Sequence, residues 1–154
     1  MNWTQKETLL LKDLKMQEAI CVEKYGKYAE AASNPELKGL FRKIQQHEVE
    51  HLNTITGMLE DRIPAGYSPQ AFTPPEQRVM MADQAATAGE EGDAYLCQDA
   101  LSMEKHVSGV YDTAIFEFCS PAVRQTLNNI QSQEQWHGEQ IYAYMARNGL
   151  QNLN

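Results

Sequence analysis

The chain has 154 residues, a formal net charge of −8 and 42% hydrophobic content. This length can bury a substantial core without staples, and the composition is globular rather than disordered. The acidic balance argues against nucleic acid as a partner, because phosphate binding draws on clustered Lys and Arg.

The first helix is predicted over 5–32, because Thr4-x-x-Glu7 forms a capping box ahead of an apolar stripe. That stripe runs Leu11, Leu14, Glu18, Cys21, Tyr25, Tyr28, Ala32, in steps of three and four. Ser33-Asn34-Pro35 stops the chain and restarts it, with Pro35 suited to the first turn of a helix over 35–61. The second stripe is Leu37, Phe41, Ile44, Glu48, His51, Ile55, Met58, and Pro64 should end its helix. A Pro- and Gly-bearing crossover follows over about 62–92, with a short helix expected at 76–86. Its length suits a run back along a helix pair.

The third helix is predicted over 93–118, with Cys97, Ala100, Glu104, Val107, Tyr111, Ala114 and Phe118 on its stripe. Ser120-Pro121 restarts the chain for a fourth helix over 121–148, which carries Val123, Leu127, Ile130, Glu134, His137, Ile141 and Tyr144 before Gly149. Two helical hairpins joined by one long crossover predict an all-α four-helix bundle of ferritin-like topology, as a single domain over 1–154.

The stripes are apolar except at six positions, and those six form a pattern. Glu18, Glu48 and His51 recur as Glu104, Glu134 and His137, each displaced by 86 residues, which reads as an internal repeat. Tyr25/Tyr111 and Pro35/Pro121 keep the same offset. A carboxylate inside a bundle costs several kcal/mol unless it is paired or binds a cation. No Lys or Arg occupies a stripe position, so a divalent metal pair is the simplest source of the missing positive charge. Glu-x-x-His places both side chains on one helix face. Four carboxylates and two imidazoles make a mixed oxygen and nitrogen donor set, which suits iron first, manganese next and zinc as a third candidate. Glu48 and Glu134 are the bridging candidates, His51 and His137 the terminal nitrogen ligands. Leu14, Ile44, Val107 and Ile130 would wall the site against water.

These residues resemble the ferritin-like di-iron carboxylate superfamily, which includes bacterioferritins, rubrerythrins and manganese catalases. The resemblance covers all four helices and all six ligand positions. Tyr25, seven residues after Glu18, matches a tyrosine near the metals in ferritins and rubrerythrins. The turns at Ser33-Asn34-Pro35-Glu36-Leu37 and Cys119-Ser120-Pro121-Ala122-Val123-Arg124 resemble the spore coat protein F family, whose members often lack some ligands. Departures narrow what the resemblance implies. Val107 stands where rubrerythrins carry an extra Glu, and no Cys-x-x-Cys pair exists. Val49 replaces the haem-binding methionine of bacterioferritins, and the five residues after Gly149 are too few for a cage-closing fifth helix.

The resemblance thus implies a di-metal protein reacting with dioxygen or peroxide, as an oxidase, peroxidase or catalase. The alternative is a structural spore-coat protein whose metal site is structural or empty, with a homodimer or coat-assembly partner. Tyr25 and Tyr111 read first as core aromatics, with a role beside the metals second. His47 is expected in solvent or beside the site rather than as a ligand; its counterpart at the same offset is Gln133. His106, Glu23, Glu50, Glu117 and Glu139 read as surface, and the related pair Asp13 and Asp99 as a solvated face. Cys21, Cys97 and Cys119 lack metal-type spacing and read as small buried residues in a reducing compartment. With no apolar signal region and no run of ~18 apolar residues, no membrane association is expected, and the setting is cytoplasmic, or spore coat if that resemblance holds.

Overall fold

A computed structural model describes residues 2–62 and 88–150, with side chains in the second segment from residue 91 onward. The helix expected at 76–86 lies outside the described residues. Among the described residues there are four helices: α1 (Gln5–Ala31), α2 (Pro35–Leu59), α3 (Ala88–Glu117) and α4 (Pro121–Arg147). Among the described residues there is no strand.

Local chemistry sets the helix ends. Thr4 Oγ1 accepts from the Glu7 backbone N–H at 3.1 Å while Glu7 Oε2 accepts from the Thr4 N–H at 2.9 Å, closing the capping box. Asn34 Oδ1 accepts from the Glu36 N–H at 2.8 Å, and Pro35 occupies the first turn of α2. Both α2 and α4 end in a left-handed residue. Asp61 (φ 60°) lets the Arg62 N–H reach the Gly57 carbonyl at 2.8 Å, and Gly149 (φ 65°) lets the Leu150 N–H reach Met145 at 2.9 Å.

Contacts at the helix ends give the topology. Trp3 Nε1 donates to the Met58 carbonyl at 3.0 Å and meets Phe118 edge-on, so the start of α1 lies beside the ends of α2 and α3. Arg147 pairs with Glu36 at 2.7 Å, setting the end of α4 beside the start of α2. Each helix therefore runs antiparallel to its neighbours. The end of α2 and the start of α3 lie at opposite ends of the bundle, about 38 Å apart for a 25-residue helix. The crossover joins those two ends. Within each hairpin a glutamine reaches across the seam: Gln45 Nε2 to the Val22 carbonyl and Gln131 Nε2 to the Ser108 carbonyl, both at 3.0 Å. Gly26 makes room for the first of these, since a Cβ there would lie 2.7 Å from Gln45 Nε2.

Every member of the four stripes is buried, the six polar ones included. Two features depart from the sequence expectation. α3 opens at Ala88 rather than near Asp93, because Gly89 and Gly92 cost a helix only about 1 kcal/mol each. Asp93 thus lies inside α3, 1% exposed, and accepts from the backbone N–H groups of Ser33 (2.7 Å) and Asn34 (2.9 Å). The carboxylate ties the α1–α2 turn to α3 and satisfies two donors that the turn would otherwise bury. Asp93→Ala should lower stability by about 2–4 kcal/mol, the cost of orphaning donors to a charged acceptor, read as a fall of about 5–15 °C in melting temperature. Cys119 is also a correction. Cys21 and Cys97 are buried, but Cys119 is exposed, because it follows the last turn of α3 on the outer side of the α3–α4 turn.

Candidate metal centre

Glu18, Glu48, His51, Glu104, Glu134 and His137 converge at mid-bundle, none more than 4% exposed. They form two overlapping groups: Glu18, Glu48, His51 and Glu134, and Glu48, Glu104, Glu134 and His137. In each group every residue offers a donor atom, and these atoms lie within 4.8 Å of one another. Glu48 and Glu134 belong to both, the placement of bridging carboxylates.

Both imidazoles turn the same atom inward. His51 Nδ1 lies 3.0 Å from Glu48 Oε2, 3.0 Å from Glu134 Oε1 and 3.7 Å from Glu18 Oε2. His137 Nδ1 lies 3.4 Å from Glu134 Oε2 and 3.5 Å from both Glu48 Oε1 and Glu104 Oε1. Two tyrosines reach between hairpins: Tyr25 Oη donates to Glu104 and Tyr111 Oη donates to Glu18. Both hydroxyls are thereby spent on the lone carboxylates of α3 and α1.

Several buried atoms here still have no hydrogen-bond partner: Glu18 Oε2, Glu48 Oε1, Glu104 Oε2, both Glu134 oxygens and His137 Nδ1. Unsatisfied buried acceptors are uncommon, and a set of them facing one another is electrostatically costly. Burial, then the neighbouring carboxylates, pushes Glu18 up to about 8 against the pull of His51. Burial likewise raises Glu104, with Glu134 and Glu48 adding to it and His137 opposing. Burial would also raise Glu134, but His137 and His51 facing it hold it well below the usual range. Burial disfavours charge on His51 and His137, yet the surrounding carboxylates win and hold both high. Protons thus compensate the cluster where a cation could. The donor set and the orphaned oxygens fit a pair of divalent metal ions.

The outer nitrogens of the two histidines show what the sequence reading only half saw. His51 Nε2 lies 2.7 Å from Gln133 Oε1, and His137 Nε2 lies 3.1 Å from His47 Nδ1. His47 and Gln133, each four residues before its own helix's histidine, cross over to orient the histidine of the other hairpin. His47 is half-buried, packed against Trp136, and burial and His137 lower its pKa. An acceptor on Nε2 leaves the Nδ1 lone pair free to bind a cation. Gln133→Leu removes that acceptor from His51 and should weaken Mn(II) or Zn(II) binding about 10–100-fold in a chelator-competition titration, with Gln133→Glu restoring it. The i−4 spacing and the shared offset were the only sequence signals for this pair.

Asp99 departs from its expectation as well. It accepts from Tyr28 Oη and pairs with Lys24 at 3.0 Å, so it links α3 to α1 instead of lying free in solvent. Glu23 and Glu117 are surface residues paired with Lys27 and Lys6, and Glu50 and His106 are exposed.

Residues 92–154 match the Coat F domain family. The match covers nearly all of α3 and the whole of α4, and it includes Glu104, Glu134 and His137. No curated protein and no solved structure matches the chain. Among the described residues no helix is long and apolar enough to cross a membrane.

Proposed function

We propose that this chain is a spore-coat-type protein built on a ferritin-like bundle, in which two divalent metal ions join the hairpins through Glu18, Glu48, His51, Glu104, Glu134 and His137. The observation that carries the metal part is the convergence of four buried carboxylates, several of whose oxygens have no hydrogen-bond partner, with an inward imidazole nitrogen in each of the two groups. The Coat F match supports the coat part. In this reading Glu48 and Glu134 bridge, and the two Tyr–Glu bonds hold the lone carboxylates of α1 and α3 in place. Iron is the first candidate, manganese the second and zinc the third, from the mixed oxygen and nitrogen donors.

A second reading adds oxidoreductase activity toward dioxygen or peroxide. It is favoured by Tyr25 and Tyr111, fully buried and bonded to candidate ligands, a placement suited to one-electron chemistry as well as to positioning. Bound iron or manganese would supply electrons and Lewis acidity there.

Metal analysis of protein purified without chelator tests the first reading, with about two ions per chain expected. Adding Fe(II) or Mn(II) to the stripped protein should raise its melting temperature. Absence of metal together with an unchanged melting temperature would overturn it. Peroxide consumption by the loaded protein separates the second reading from the first.

A further inference from the structure

Phe116 is the most exposed large apolar side chain among the described residues, at 84%. It stands on the outer face of α3, on a seven-residue stripe that runs back through Gly109 and Ser102, all three exposed. At Gly109 a Cβ would meet nothing within 4 Å, so the fold does not need glycine there. Glycine weakens a helix relative to alanine, and its use on an open face suits the close approach of something from outside.

Beside this stripe an open cavity of about 440 Å³ lies between α3 and α4, bounded on its outer side by Leu101, Lys105, Ser108, Gly138 and Tyr142. Its walls are mainly apolar, and the volume admits an aromatic ring. Gly138 keeps it wide, since a Cβ there would meet nothing closer than Leu101 Cδ2 at 3.7 Å. The residues 86 positions before Gly109, Phe116 and Gly138 are Glu23, Glu30 and Leu52, so the first hairpin does not carry this surface.

The protruding ring and the cavity are placed to fit each other in two copies. Phe116 lies seven residues after Gly109, and Ser102, beside the cavity, lies seven before it, each about 10 Å along the helix. A second α3 laid antiparallel against the first, with the two-fold axis at Gly109, brings each Phe116 to the cavity of the other copy. Charge follows the same symmetry. Lys105 and Asp112, both exposed, lie about 6 Å and 4.5 Å on either side of Gly109 and share one flank of α3. Neither has an ion-pair partner among the described residues. Antiparallel packing sets each Lys105 against the other copy's Asp112, whereas parallel packing would set like against like.

We propose that the outer face of α3, with the α3–α4 cavity, is a self-association surface that binds a second copy of this chain as an antiparallel two-fold dimer. Each Phe116 fills the cavity of the other copy, an aromatic anchor in an apolar pocket. Gly109 lets the helices approach, and two Lys105–Asp112 pairs fix the register. The assignment does not depend on metal in the buried centre.

One helix pair is smaller than a standard interface, so the dimer should be weak, with Kd on the order of 1–100 μM. Sedimentation equilibrium of the full chain measures it. Phe116→Ser, at an exposed position that leaves the core intact, should raise Kd about tenfold or more, and Gly109→Leu should do likewise. Lys105→Glu and Asp112→Lys should each weaken the dimer, and the double variant should restore it. A chain that stays monomeric up to about 1 mM, or a dimer unchanged in folded Phe116→Ser and Gly109→Leu, would overturn the surface. Single charge reversals that the double variant does not rescue would overturn the antiparallel register. A monomeric chain that binds lipid vesicles through Phe116 would overturn the second copy as the occupant.

Discussion

Glu48→Gln should abolish tight binding of two divalent ions while leaving the metal-free protein as stable as before. The substitution preserves shape and removes one charge from a residue belonging to both ligand groups. Losing a bridging candidate should cost more than the 10–100-fold typical of groups that merely orient a ligand, so Mn(II) affinity should fall by more than about 100-fold. The metal-free stability should move by no more than about 1 kcal/mol, because Glu18, raised to about 8, holds a proton at neutral pH that it can release to restore the charge balance. Isothermal titration and calorimetry on the same samples separate the two effects. Retained two-ion binding in Glu48→Gln would remove the bridging role. A large loss of metal-free stability would mean that Glu48 acts chiefly as a structural partner of His51, whose Nδ1 lies 3.0 Å away.

The melting temperature of the metal-free protein should fall as pH rises from about 5 to 9, by on the order of 10 °C. Glu18, raised from 4.5 to about 8, contributes stability that is complete below 4.5 and is lost as pH rises through about 8. Glu104 is raised too and acts in the same direction. His51 and His137 are raised above 6.5, so their contribution is complete below that value and is lost as pH climbs through their folded values. Glu134 is depressed; its contribution is complete above 4.5 and disappears only at lower pH, outside this window. His47, lowered from 6.5, acts the other way as pH rises through that value, so between pH 5 and 9 four raised groups oppose one lowered one and the net slope is downward. Metal should reverse the slope, because a cation displaces these protons and its affinity rises as they become easier to remove. Scanning calorimetry with and without excess Mn(II) checks both slopes. A flat metal-free curve would mean that the cluster does not store protons.

Much of this architecture was legible because helical burial is periodic. A residue every three or four positions must face the same way, so each stripe named its buried residues individually, and the lone polar members in it had to be buried too. The caps were legible for a similar reason: Thr4, Asn34 and Pro35 act on their own neighbours. The start of α3 was not, since two glycines look like a break until packing against the α1–α2 turn outweighs their modest cost. Asp93 was invisible for the same reason, because its two partners lie about 60 residues away. Cys119 was misplaced because a small apolar residue just beyond a stripe carries no signal about which side of a turn it will face.

The candidate centre divides along the same line. Sequence by itself determined the four helices, the identity of six polar residues on apolar faces and the need for positive charge among them, because local spacing and the cost of buried charge are both readable along a chain. Tertiary structure alone decided that Tyr25 and Tyr111 hold the carboxylates of the opposite hairpin, and that His47 and Gln133 orient each other's histidines. It also decided that Gly138 borders an open cavity. Those relations depend on the rotation and offset of one hairpin against the other, which arise from the packing of whole helix faces and leave no mark in the spacing of residues within one helix.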